Sequence, residues 1–273
     1  MNEKSLIKNH IISDVIKYKK HKLLSIKHPI IREIPLRICV NESPCATLMY
    51  TPGQEKELAL GFCFTEGILP DSWRKNNLQW DTFDPKEGVI SLRLDQPAQL
   101  CSPIALDVKD FLKNPNDEKS TLNRIFPYLK NINSKLQISF DILQGIEKQI
   151  RQKQKLFTLT GGTHAACVFD GQGNYLFCCE DIARHNALDK AIGYALLKGV
   201  VLSDKILCLT GRTNYTLMRK AVRAQFPIVA SISAPTSMAV KISRAVDMTL
   251  IGFLRSEEMN IYAGRQRIKE LQG

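Results

Sequence analysis

The pattern of apolar and polar positions changes character along the chain. In residues 1–28, Ile, Leu and Val are scattered among lysines without sustained periodicity, which predicts a loosely held basic arm. Pro35-Leu36-Arg37-Ile38-Cys39-Val40 alternates as a strand, and Asn41-Glu42-Ser43-Pro44 supplies turn chemistry before an extended run at 45–50. Thr51-Pro52-Gly53 breaks that run. A short helix follows at about 54–66, with Leu58 and Phe62 on one face, and 89–94 reads as another strand. Residues 95–135, rich in Asn, Asp, Pro and Lys, suit a loop or inter-domain linker. Ile138, Ile142, Ile146 and Ile150 then recur at four-residue steps and predict a helix that ends in a basic, polar run at 151–155.

The last third is more regular. Strands are predicted at 156–160, 165–170, 175–179, 206–210, 228–233 and 249–254, with Gly171-Gln172-Gly173-Asn174 as a hairpin turn between the second and third. Helical patterns fill the gaps at about 185–198, 214–225 and 235–246. Strands alternating with helices imply an α/β sheet with helices on its faces. The expected division is a basic arm at 1–28, an α+β domain at 29–135 whose end is the loop region, and an α/β domain at 136–273.

Charge sharpens this division. Of the net +11, residues 1–28 contribute +5, residues 29–151 contribute −1 and residues 152–273 contribute +7. A basic C-terminal half favours an anionic partner, whether nucleotide, phosphate ester or nucleic acid, although solubility alone also explains it. No apolar run approaches the roughly 20 residues that cross a bilayer, and the start lacks signal-peptide order, so no membrane contact and a cytoplasmic location are expected. The eight cysteines include no C-x-x-C pair, which argues against a structural zinc site. Most sit in apolar segments and read as small buried hydrophobes, all but one of them by default.

Candidate chemistry lies in three loops of the C-terminal half. Thr160-Gly161-Gly162-Thr163-His164, Thr210-Gly211-Arg212-Thr213 and Ser231-Ile232-Ser233-Ala234-Pro235-Thr236 are small, glycine- or hydroxyl-bearing segments at predicted strand ends. Such loops let backbone N–H groups approach an anion, and ligands in open α/β sheets bind at the carboxyl ends of strands. Each loop alone is a turn with a helix cap; together they suggest a crevice in which Arg212 and Arg184 grip phosphate. The densest polar cluster is Glu180-Asp181-Ile182-Ala183-Arg184-His185-Asn186. Asp181 suits a helix cap that also orients Arg184 or His185, and His185 an acid–base or ligand contact, against the bland alternative of a structural histidine. Asp189 and Lys190 read as a solvated helical face. His164 is a ligand donor or the polar entrance to a strand. No third residue completes a metal set with His164 and His185.

At these residues the chain resembles the FdhD/NarQ family of formate dehydrogenase accessory proteins. The matching blocks are REIPLRICVN (32–41), TPGQEKELALGFCFTEGIL (51–69), LTGGTHAACVFDGQGNYLFCCEDIARHNALDKAIG (159–193), LTGR (209–212), SISAPTSMAV (231–240) and TLIGFLR (249–255), in the family's order. Ala183 stands where a glycine is usual. The resemblance implies a C-terminal domain of the cytidine deaminase-like three-layer kind beside a smaller N-terminal α+β domain, although the deaminase H-x-E and P-C-x-x-C signature is absent. It implies sulfur carriage from a cysteine desulfurase to a molybdenum bis(molybdopterin guanine dinucleotide), held as cargo for a molybdenum-dependent formate dehydrogenase, with no catalytic metal of the protein's own. The family's cofactor-contacting segment corresponds to Phe253-Leu254-Arg255-Ser256, with Arg255 the phosphate reader. The family's C-x-x-C sulfur carriers are missing; the corresponding region holds Cys101, a lone persulfide carrier or merely a buried thiol. The alternative is a non-catalytic cofactor carrier that lacks sulfur transfer. A guanine-nucleotide-like ligand is expected in either case. A homodimer is compatible with the resemblance because the crevice need not be complete in one chain. A nucleic-acid-binding module is disfavoured, since no stacking-aromatic motif is present.

Overall fold

The computed structural model of the chain describes residues 9–69, 78–95 and 130–272. These form a two-domain α/β architecture with one sheet in each domain, preceded by a separate ribbon. In the ribbon, β1 (His10–Lys19) pairs antiparallel with β2 (Lys22–Ile31). Residues 9–28 are therefore an ordered hairpin rather than a loosely held arm. The β-branched Ile11, Ile12, Val15, Ile16 and Ile26 favour extended backbone, and the two-residue turn places Lys20 and His21 at φ 49° and 61°. Apolar residues occupy both ribbon faces, so no one-sided periodicity marks it.

The N-terminal sheet has the order β4-β3-β6-β5, built from β3 (Ile34–Val40), β4 (Ser43–Tyr50), β5 (Gln79–Asp84) and β6 (Val89–Arg93). Helix α1 (Glu55–Thr65) covers it, and Leu36, Ile38, Leu58, Ile90 and Leu92 form the core between them. Strand β5 was not anticipated, because Gln79-Trp80-Asp81-Thr82-Phe83-Asp84 carries too few apolar residues. Most of the predicted loop at 95–135 lies outside the described residues, and Cys101 with it.

The C-terminal sheet has the order β12-β11-β10-β9-β7-β8. Its strands are β7 (His164–Phe169), β8 (Tyr175–Asp181), β9 (Ile206–Leu209), β10 (Ile228–Ser231), β11 (Thr249–Gly252) and β12 (Asn260–Ala263). Strands β9, β10 and β11 are parallel, while β7 runs antiparallel to both β8 and β9. One face packs α2 (Phe140–Lys153), whose Leu143, Ile146 and Ile150 meet Cys208, Ala230 and Ile251. The other packs α4 (Arg184–Lys198), α5 (Tyr215–Arg223) and α6 (Ser237–Ala245) against Val168, Leu207, Val229 and Leu250. Ser139, Asn214 and Thr236 cap α2, α5 and α6 by accepting from the N–H of Ile142, Leu217 and Ala239. Cys167 and Cys178, opposed across β7 and β8, are joined by a disulfide, so these two are not the free buried thiols expected.

One predicted strand is a helix. Residues 156–160 belong to α3 (Lys155–Thr160). The Glu180 carboxylate, reaching from β8, accepts from the N–H groups of Leu156 and Phe157 at 2.9 and 2.8 Å. The hydroxyls of Thr158 and Thr160 donate back to Gln154 O and Leu156 O at 2.7 and 2.8 Å. A tertiary carboxylate and two back-bonds override the β-propensity of a short apolar run.

Candidate functional site

Because β7 runs opposite to β9, the start of β7 and the end of β8 lie at the same sheet end as the carboxyl ends of β9, β10 and β11. His164 opposes Asp181, the Thr210 N–H donates to Ala165 O, and the Ile232 N–H donates to Leu209 O. The Phe253 and Leu254 N–H groups donate to Ser233 O and Ser231 O. The topology thus brings the loops at 160–164, 181–185, 210–213, 231–236 and 253–256 to one edge. Gly211 packs tightly there: a Cβ on it would stand 3.1 Å from His164 Nδ1 and 3.4 Å from Arg184 Cδ.

The charged groups of this edge differ in how they are held. Arg212 is exposed. Arg184 is half-buried, and its Nε is enclosed with no hydrogen-bond partner among the described residues. Arg255 donates through Nη1 to Ile232 O at 2.6 Å and Leu254 O at 2.8 Å, so that nitrogen fixes the loop itself. His185 Nε2 lies 3.5 Å from Asn214 Nδ2, a partner the sequence did not suggest. Burial, and then the charges of Arg184 and Lys220, depress the His185 pKa to about 4, which leaves it neutral at pH 7. Burial and Arg184 also lower His164. Phe253 sits at φ 53°, a left-handed backbone that bulky residues seldom adopt, at 41% exposure. Leu254 is buried beneath it and Ser256 is half-buried.

The glycine loop is less open-handed than its composition suggests. The Gly161 N–H donates to Phe157 O and the Gly162 N–H to Thr160 Oγ1, so neither awaits an anion. Thr163 is buried and its hydroxyl donates to Glu180 at 2.9 Å. Ser233 donates its N–H to Ser231 Oγ. Gly161 itself faces open space at φ 70°. Beside this loop lies a cavity of about 740 Å³ between α2, α3 and the sheet end, which His164 and Thr210 also line.

Asp181 does not serve the role its position suggested. The residue preceding α4 is Ala183, with no side-chain cap, and among the described residues Asp181 makes no hydrogen bond or ion pair with Arg184 or His185. Fully buried, its carboxylate accepts from Thr51 N–H, Ala183 N–H and Asn186 Nδ2, and pairs with Lys190 Nζ at 2.8 Å. Asp189 and Lys190 are likewise buried rather than solvated. Lys190 reaches Thr51 O at 2.7 Å, while Asp189 takes Lys220 Nζ at 2.8 Å and the Thr65 hydroxyl at 2.8 Å. Lys220 also meets Glu66 at 2.7 Å, and Arg219 closes on the same carboxylate. Burial alone would raise Glu66, but Lys220 and Arg219 hold it below the ordinary carboxylate value. Of these partners Thr51, Thr65 and Glu66 lie in the N-terminal domain, out of reach of any local sequence reading.

Among the described residues no cluster of three or more His, Cys, Asp or Glu is placed to hold a metal, and no helix is long and apolar enough to cross a membrane. Fold and site together define a two-domain α/β protein whose C-terminal sheet gathers small-residue loops and arginines at the carboxyl ends of its parallel strands. The chain belongs to the FdhD/NarQ family, which it matches over residues 31–269. It is 34% identical to the sulfur carrier protein FdhD of Saccharolobus solfataricus over 94% of this chain and 95% of that one. It is 30% identical to the protein of the same name from Bacillus subtilis, over 95% and 97% of the two chains. Its fold is similar to a crystal structure of a protein from Desulfotalea psychrophila assigned as a formate dehydrogenase accessory protein. That match has a TM-score of 0.76 and 20% identity, and covers 96% of this chain and 100% of that chain.

Proposed function

We propose that this protein holds the guanylated molybdenum cofactor at the end of its C-terminal sheet and assists its sulfuration or its insertion into formate dehydrogenase. The observation that carries this reading is the gathering of Arg184, His185, Arg212 and Arg255 at one sheet end, in a chain whose relatives are named sulfur carriers. Arg212, exposed and fork-shaped, suits a pyrophosphate oxygen pair, and the enclosed Arg184 Nε is a donor that no group among the described residues uses. A neutral His185 contributes a hydrogen bond rather than a charge. The strand order β8-β7-β9-β10-β11, with an antiparallel hairpin followed by parallel strands, supports reading this domain as cytidine deaminase-like. The N-terminal domain in this reading spans 29–135, including the loop region at about 95–135, and the C-terminal domain spans 136–273.

Sulfur carriage in this proposal runs through Cys101. The other seven cysteines suit it poorly. Cys167 and Cys178 are bonded to each other. Burial raises the thiols of Cys45, Cys63 and Cys208, and raises Cys179 to about 12, while Cys39 is buried. A desulfurase persulfide would pass its outer sulfur to the Cys101 thiolate, forming an S–S bond there and releasing the donor cysteine as thiolate. The missing C-x-x-C pair favours the second reading, a cofactor carrier without sulfur transfer. Mass spectrometry of the full chain after treatment with a cysteine desulfurase and L-cysteine decides between them. A one-sulfur gain that Cys101→Ala abolishes supports transfer; no gain, with the desulfurase active on a control acceptor, leaves the carrier.

A further inference from the structure

Cysteines line up in a row across the C-terminal sheet. Cys167 in β7 opposes Cys178 in β8 on one side and Cys208 in β9 on the other. Directly opposed residues of antiparallel strands point to the same face, so all three side chains lie on the face that α2 covers. Cys167 and Cys178 are bonded to each other, and Cys208 is a free thiol. The two ends of the row differ in access. Cys208 and Cys167 are fully buried, whereas Cys178 is only partly buried, on the edge strand of the sheet. Its neighbours on that face are Tyr175 and Glu180. Lys153 Nζ stands 4.3 Å from the centre of the Tyr175 ring. The Glu180 carboxylate is already engaged by the N–H groups of Leu156 and Phe157 and the hydroxyl of Thr163. An anionic thiolate approaching this edge thus finds a cation nearby and a carboxylate that is answered.

We propose that Cys178 is the entry sulfur of a thiol-exchange site that takes small thiols, with Cys167 as its partner and Cys208 as a buried reserve. A small-molecule thiolate attacks Cys178 Sγ, forms a mixed disulfide there and expels Cys167 as thiolate. A second small thiolate attacks the outer sulfur of that mixed disulfide, leaves joined to it as the external disulfide, and releases Cys178 as thiolate. Two electrons thereby pass from two small thiols to the protein pair, and the reverse sequence restores the Cys167–Cys178 bond. Cys208 stands on the far side of Cys167 from Cys178, the side from which a thiolate displaces Cys178. That exchange joins Cys208 to Cys167, moves the Cys208 proton to Cys178, and frees Cys178 at the sheet edge. Burial raises the Cys208 thiol and keeps it protonated, so the pairing at the edge is the resting one. Neither Cys101 nor the arginines of the sheet end take part in this chemistry.

Equilibration of the full chain in glutathione redox buffers tests this, with maleimide quenching and non-reducing peptide mapping by mass spectrometry. Reduced glutathione opens the Cys167–Cys178 link of the native chain. In the opened chain Cys178 reacts with maleimide at least about tenfold faster than Cys167 or Cys208, as its greater exposure requires. Cys167→Ser lacks the resolving thiol and retains glutathione on Cys178. Cys178→Ser retains none and, in oxidised glutathione, links Cys167 to Cys208. A link that glutathione opens only after unfolding in guanidinium is an inert structural disulfide and overturns the proposal. So does maleimide reacting first at Cys167 or Cys208, or oxidised glutathione that never joins Cys167 to Cys178. These three results come from the wild-type chain, so they decide the matter even where a serine in the buried row impairs folding. A folded Cys178→Ser chain without the Cys167–Cys208 link removes the reserve role of Cys208.

Discussion

Two stretches of α4 use similar residues to opposite ends. Its first turn carries Arg184 and His185, and its second carries Asp189 and Lys190. In the second turn every charge is enclosed and answered: Lys190 by Asp181, and Asp189 by Lys220. In the first turn, among the described residues, Arg184 keeps an enclosed Nε without a partner, and His185 makes one long hydrogen bond, to Asn214. Charge at the seam between domains is saturated, and charge at the sheet end is left open. A saturated network fixes geometry, whereas an enclosed donor without a partner carries an unmet desolvation cost.

The sharpest way to break this contrast is to strand a charge in the seam. Lys220→Met leaves Asp189 buried with only the Thr65 hydroxyl, at an expected cost of about 3–5 kcal/mol in denaturant unfolding. The double variant Asp189→Leu/Lys220→Met should recover much of that loss, since neither charge is then buried. Equal stability of single and double variants would falsify the view that the pair is compensated. Next in size is the crossing of α1 and α4. A Cβ on Gly193 would stand 1.8 Å from Glu57 O, backbone that has no flexible end to move aside. Gly193→Ala should therefore cost about 3 kcal/mol by overpacking; a melting temperature within a degree of wild type contradicts so close an approach.

At the open end the same size of change should leave stability alone. Arg212→Ala is expected to weaken GDP about tenfold at low salt, with a flatter salt dependence and an unfolding free energy within about 0.5 kcal/mol of wild type. Unchanged affinity removes the proposed phosphate grip. The smallest effect concerns pH. His185 is depressed to about 4 from its ordinary 6.5, so between these values the unfolded chain binds a proton that the folded chain does not. Its contribution is complete above about pH 6.5 and is lost as pH falls toward 4. It should amount to about 1 kcal/mol after allowance for solvent screening at a half-buried group. His185→Gln should flatten the melting temperature over that window by the same amount; identical pH profiles for the two chains sink the assignment.

The residues that sequence reading placed well are those whose pattern is local. Alternation gave β3, four-residue spacing gave α2, and regularly spaced apolar runs gave β9, β10 and β11. The glycine- and hydroxyl-rich loops were read as one crevice, and the topology gathers them. Misreadings occur where a distant group decides. Residues 156–160 coil because Glu180 takes their first N–H groups. Asp181 looked like a cap and is instead tied to Thr51, which lies 130 residues earlier in the chain.

The amino-acid sequence by itself determined the strand–helix alternation of the C-terminal half, its basic balance and its membership of the FdhD/NarQ family, because each depends on residue order and type alone. Only the tertiary structure decided which charges are answered. Asp189 and Lys190 follow Arg184 and His185 within one helix, and composition does not separate them. What separates them is α1 and the Thr51 backbone closing over the second turn and leaving the first at a sheet end. Pairing is a property of three-dimensional proximity and desolvation, and no local periodicity encodes either.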